Sequence, residues 1–152
     1  MKKLTFLIAA LFFSTLGFAQ TDFSGTWKLN SSKSKLGERS FAPKEIVVVQ
    51  KGNNLSVESH SEWQGQERIR TNKYTLDGKE CVNAGFRDSE IKSTAVWSGD
   101  KKSLKITSKF EMQNGEMIMT ATYKMDGKNL VIESSSSSSF GDRSETQVFD
   151  KQ

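Results

Sequence analysis

A chain of 152 residues, 35% of them hydrophobic, is long enough for one domain with its own core and too short for two ordinary ones. Its single cysteine excludes an internal disulfide, and one histidine beside that cysteine leaves a closed zinc site without its usual donors. The formal charge of +4 includes two lysines in an N-terminal segment that carries no acid, so the remainder stands near neutrality and gives no ground for nucleic-acid recognition.

In chain order, Lys2 and Lys3 precede an apolar run from Leu4 to Phe13, followed by Ser14-Thr15-Leu16-Gly17-Phe18-Ala19. A basic start, an apolar middle and a small-x-small ending predict a signal peptide over residues 1–19, with cleavage after Ala19. The competing reading, a membrane anchor, needs about 20 apolar residues, and this run is shorter. The only cysteine is Cys81, so the segment has no cysteine to acylate. The expectation is a soluble exported domain over residues 20–152, periplasmic or secreted.

Phe23-Ser24-Gly25-Thr26-Trp27-Lys28-Leu29-Asn30 then alternates polar and apolar side chains with a period of two, the pattern of a strand with one buried face. Gly25 allows a tight bend before the indole of Trp27 enters the core. Residues 31–43 are rich in serine and lysine and hold the only proline, Pro43, with Leu36 and Phe41 as the large apolar residues. They predict a surface crossover. From Lys44 the chain is punctuated by turn signals at short intervals. Strands are predicted over Glu45–Lys51, Leu55–Ser59, Gln66–Leu76, Ile91–Trp97, Leu104–Phe110, Met117–Tyr123, Leu130–Ser139 and Arg143–Asp150. The turns between them include Gly52-Asn53-Asn54, Asp77-Gly78, Gly99-Asp100, Asn114-Gly115, Asp126-Gly127 and Gly141-Asp142, and Asn83 to Asp88 reads as a looser stretch. No helix of useful length is predicted.

The class is therefore all-β, a single antiparallel up-and-down β-barrel of about 8–10 strands. Short sequential turns place each strand beside its predecessor, and closure removes edges that would template aggregation. A sandwich of the immunoglobulin type calls for longer crossovers. The patterns Tyr74-Thr75-Leu76-Asp77-Gly78-Lys79 and Tyr123-Lys124-Met125-Asp126-Gly127-Lys128 echo each other as repeated hairpin chemistry.

The Gly25-Thr26-Trp27 strand, together with the ending Val148-Phe149-Asp150-Lys151, resembles the calycin superfamily: lipocalins and, more closely, fatty-acid-binding proteins. The run Gly25 to Ser34 is also similar to the opening of small exported bacterial lipocalin-like proteins. That resemblance implies a barrel with an interior ligand and a basic side chain packed over the first-strand tryptophan. Gly25 and Trp27 are then structural, with Arg143 or Lys151 over the indole as a cation–π contact. Fatty-acid-binding proteins hold head groups with an Arg-x-Tyr pair in the last strand. Gln147-Val148-Phe149 stand there in this sequence, so that clamp does not carry over.

Candidate ligand contacts follow from strand faces. Arg68, Arg70 and Tyr74 share one face of their strand, where an inward arginine beside a tyrosine would hold a carboxylate; outward, the arginines are merely solvated. Met117, Met119 and Tyr123 share a face whose thioethers suit either an adaptable pocket or core filling, and Trp97 is a further interior candidate. Ser134, Ser136 and Ser138 continue the face of Leu130 and Ile132, giving either a hydrated interior end or a serine-rich surface edge. His60 has no nucleophile elbow to serve and no evident co-ligands for a metal. We expect no enzyme activity, no catalytic or metal site, no cofactor and no nucleic-acid partner. The expected function is to hold a small apolar or amphipathic molecule inside the barrel. The alternative is a filled barrel acting through its surface as an interaction or inhibitor module, and cavity volume separates the two.

Overall fold

The structure, a computed structural model, describes residues 19–38, 40–85, 87, 89–112, 115–139 and 141–152. The predicted leader lies, but for Ala19, outside the described residues, as do Asp88 and Asn114 of the predicted loop and turn.

Ten antiparallel strands form one sheet, and no helix occurs among the described residues. They are β1 (Gly25–Leu29), β2 (Glu45–Lys51), β3 (Asn54–Trp63), β4 (Gln66–Thr75), β5 (Cys81–Ala84), β6 (Glu90–Trp97), β7 (Ser103–Met112), β8 (Gly115–Asp126), β9 (Asn129–Ser138) and β10 (Gly141–Lys151). Each pairs with its sequence neighbours, except that β4 does not pair with β5. β1 pairs with β10, joining the ends of the chain, and β4 and β5 form the two margins of the sheet.

The run from Gly25 to Ser34 stitches the first strand to the last. Trp27 is 1% exposed, and its indole N–H donates to the Phe23 carbonyl at 2.9 Å. Lys151, directly opposite in register, holds its ammonium 5.3 Å from the indole centroid. Gly25 sits at φ +144°, a conformation that favours glycine, and a Cβ there would press on Lys151 Cε at 3.1 Å. Asn30 Nδ2 donates to Asp150 at 2.6 Å, Lys33 Nζ pairs with the same carboxylate at 3.2 Å, and Asn129 joins them. The hydrogen bonds from Asn30 and Lys33 hold the Asp150 carboxyl below its ordinary range. Ser34 Oγ accepts the Val148 amide at 2.9 Å.

The β4–β5 seam is closed by side chains. Asn83, buried on β5, accepts the Lys73 amide at 2.7 Å and donates to the Lys73 carbonyl at 3.0 Å, standing in for the missing peptide partner. Half-buried Cys81 accepts the Thr75 amide at 3.1 Å, so this thiol serves the seam and is not the core residue its type suggests. Asn83→Leu should leave both Lys73 groups unpaired, costing about 1–3 kcal/mol. Hydrogen exchange would show faster exchange at Lys73, while unchanged exchange there would mean another group closes the seam.

Large side chains fill one end of the barrel: Phe23, Trp27, Leu55, Tyr74, Trp97, Leu104, Tyr123, Leu130 and Phe149 form one cluster. Phe23, outside any strand, is fully buried there, stacked 5.8 Å from Trp97 with its ring 6.0 Å from Tyr123. Its backbone is fixed by Gln50, which accepts the Phe23 amide at 3.2 Å and donates to the Thr21 carbonyl at 3.0 Å. Residues 21–24 thus cross and seal that end.

Candidate functional site

The opposite end is open. There the inward positions become small or polar: Ser59 on β3, Ala121 on β8, then Ser134, Ser136 and Ser138 on β9. Too little volume is supplied to close-pack the space, and a cavity of about 540 Å³ remains. One wall is apolar, built from Met117, Met119, Ala121 and Ile132. Beside it two of the inward serines of β9 pair in register with the β8 stripe, Ala121 with Ser134 and Met119 with Ser136. Alternation along β9 leaves Ser135 and Ser137 exposed on the outside while the even-numbered serines turn inward. Arg143, Glu145 and Gln147 of β10 complete the wall, on the face that carries Phe149 at the packed end.

The crossover roofs this cavity. It first returns to β10, where Lys35 and Thr146 exchange backbone bonds at 2.7 and 2.9 Å. The Glu145 carboxylate then accepts the Gly37 amide at 3.2 Å and the Ser40 hydroxyl at 2.8 Å. Phe41, Ala42 and Pro43 line the mouth, and Phe41 stacks on Trp63 at 5.7 Å. Both rings are substantially exposed, at 68% and 46%. Glu145 is thus committed to the strap, whereas Arg143 makes no ion pair among the described residues.

The residues singled out from the sequence separate into three groups. Met117, Met119 and Tyr123 line the cavity. Tyr74 and Trp97 lie in the packed end and are not among its lining residues, because the largest side chains occupy the rows nearest Phe23. Burial pushes the Tyr74 hydroxyl up to about 12, with Asn72 and Arg70 acting in the opposite direction. Arg68 and Arg70 lie on the Tyr74 face of β4 but are exposed beyond the core and do not reach the cavity lining. Of the two basic residues expected over Trp27, Lys151 occupies the position; Arg143 pairs with Ser136 far along β10 and faces the cavity. Residues missed by sequence reasoning are Phe41, Ser59, Glu145 and Gln147. The last two could have been found from alternation back from Phe149.

His60 is on the outer surface. Its Nε2 lies 2.8 Å from Glu58 and its Nδ1 3.1 Å from Glu67, and it is not among the residues lining the cavity. Hydrogen bonds to Glu58, then Glu67, raise its pKa above the ordinary 6.5. A raised folded value favours folding fully below the unfolded pKa, and the contribution is lost as pH rises through the folded one. Imidazole NMR should therefore give a midpoint above 6.5 that falls on Glu58→Gln; a midpoint indifferent to that change would remove Glu58 as the cause.

No protein-family model matches this sequence, and no curated protein does. Solved structures do. Zebrafish ileal bile acid-binding protein, complexed with cholic acid, matches with TM-score 0.60 and 19% identity over 86% of this chain and 98% of that one. A Schistosoma mansoni fatty acid binding protein in complex with arachidonic acid matches at 0.59 and 14%, covering 86% and 96%. A secretory abundant heat soluble protein from Ramazzottius varieornatus matches at 0.62 and 11%, covering 89% and 98%. The chain therefore shares its fold, a ten-stranded antiparallel β-barrel, with these fatty-acid- and bile-acid-binding proteins.

Proposed function

We propose that this protein is an exported, non-enzymatic binding protein that holds a small apolar or amphipathic molecule in the open half of its barrel. The observation that carries this reading is the cavity itself, about 540 Å³ with an apolar wall and a single polar side. That volume lies within the range of small-molecule sites, roughly 300–1,000 Å³. The rival reading, a filled barrel that works through its surface, requires the methionines to close-pack the interior; Met119 instead remains 37% exposed. Support for the ligand class also comes from neighbours of the same fold, named for bile acids and fatty acids. Export rests on the leader pattern, which predicts Gln20 as the first residue of the mature protein.

Native mass spectrometry of the mature protein, purified gently from its own host, tests the binding reading. A stoichiometric adduct removed by solvent extraction is expected. A clean apo mass, with no uptake of the fluorescent probe 1-anilinonaphthalene-8-sulfonate, would overturn it. N-terminal sequencing of the extracytoplasmic fraction tests export, and a chain still beginning at Met1 would count against cleavage.

A further inference from the structure

The two ends of the cavity offer different, complementary polar groups. At the floor, Tyr123 is 7% exposed and lines the cavity, and its hydroxyl makes no hydrogen bond to protein among the described residues. Burial pushes its pKa up, so it remains a neutral donor. Gln147 belongs to the same row, since Tyr123 pairs with Ile132 and Ile132 with Gln147. Its amide nitrogen faces Glu145 at 3.5 Å, leaving its amide oxygen without a donor from the described residues. The floor thus presents one donor and one acceptor, the complement of an uncharged hydroxyl group.

At the mouth, Arg143 provides a guanidinium with no carboxylate in ion-pair range among the described residues. The neighbouring Glu145 is held by Gly37 and Ser40. Arg143 stands four residues from Gln147 along β10, on the same face, so the two polar ends are separated by roughly 13 Å of strand. Between them lies the row of Ala121, Ser134 and Glu145, while Met119 and Ser136 stand level with Arg143.

From this spacing we infer that the cavity selects a two-ended amphiphile: an acid whose carboxylate meets Arg143 at the mouth and whose chain carries an uncharged hydroxyl to Tyr123 and Gln147 at the floor. This rests on the carrier reading of the same cavity and narrows it. A plain alkyl acid would cover the Tyr123 hydroxyl and the Gln147 oxygen without pairing them, and buried unpaired groups discriminate against such a ligand.

The test compares three probes by calorimetry on the wild-type protein: dodecanoate, 12-hydroxydodecanoate and 1-dodecanol. The hydroxy acid should bind about five- to tenfold more tightly than dodecanoate, reversing the order that greater hydrophobicity alone would give. Tyr123→Phe should erase that advantage while leaving dodecanoate within about twofold. Arg143→Gln should weaken both acids by about tenfold or more and spare the alcohol. Dodecanoate binding as tightly as the hydroxy acid overturns the two-ended site and leaves the carrier reading standing. A loss of alcohol binding in Arg143→Gln equal to that of the acids removes the mouth contact. Failure of all three probes to bind overturns both this inference and its parent. The wild-type comparison needs no variant, so a Tyr123→Phe protein that misfolds does not shelter the inference.

Discussion

Trp27→Ala should lower the free energy of unfolding by about 3–5 kcal/mol, the usual cost of emptying a large aromatic site in a core. A domain of this size has about 5–15 kcal/mol in total, so the variant is expected to lose a large share of its stability. Two losses coincide at this position: the packing of a side chain 1% exposed, and the hydrogen bond its indole gives to the Phe23 carbonyl. The second loss matters because Phe23 seals the barrel end. The overlying cation is a smaller contributor. Lys151→Met keeps the aliphatic stem and removes only the ammonium, an interaction worth about 0.5–1 kcal/mol at an exposed site. Urea unfolding of both variants separates the two effects. Equal midpoint shifts would mean that the cation, and not the packing, holds the first strand to the last.

Ser136→Trp should abolish ligand uptake, lowering probe affinity by about 100-fold or more, with stability changed by less than about 1.5 kcal/mol. The contrast with Trp27 follows from where volume is already in use. Ser136 lies opposite Met119 on the wall of an unfilled space, so an indole there occupies the cavity without displacing packed neighbours. Binding of 1-anilinonaphthalene-8-sulfonate and a urea melt on one preparation give both readings. Retained binding in a folded Ser136→Trp protein would place the ligand elsewhere and return attention to the outer surface.

The strand plan was legible because alternation and turn chemistry are local. Glu45–Lys51 was read to its last residue, and the Gln66 strand falls one residue short of its predicted end. β5 was missed: Cys81–Ala84 has four residues, only two of them inward, and one backbone-paired neighbour, so too little pattern accumulates to rise above a loop. β3 was read too short, since His60 to Glu62 is polar on both faces and becomes strand by pairing with β4. For the cavity, alternation tells which face of a strand is inward but not how far the filling extends. That depends on register across several strands, which sets Ala121 beside Ser134 and Met119 beside Ser136 while collecting Phe23, Trp97 and Tyr123 at the other end. Arg143 stood beside Lys151 as a candidate over Trp27 by resemblance; Lys151 takes that place, and alternation back from Phe149 turns Arg143 inward at the far end of β10.

The stitch between the first strand and the last has a consequence for when the barrel can exist at all. Asn30 and Asp150 are 120 residues apart, and the ladder they support is one of the two places where the sheet must close on itself. Hairpins along the middle of the chain can form as soon as their own residues are available, but β1 has no partner beyond β2 until the C-terminal segment has been made. A closing contact of such long range must wait for the end of synthesis, which assigns the decisive step to the last few residues. A chain shortened before Gln147 would keep most of its strands and still be unable to shut.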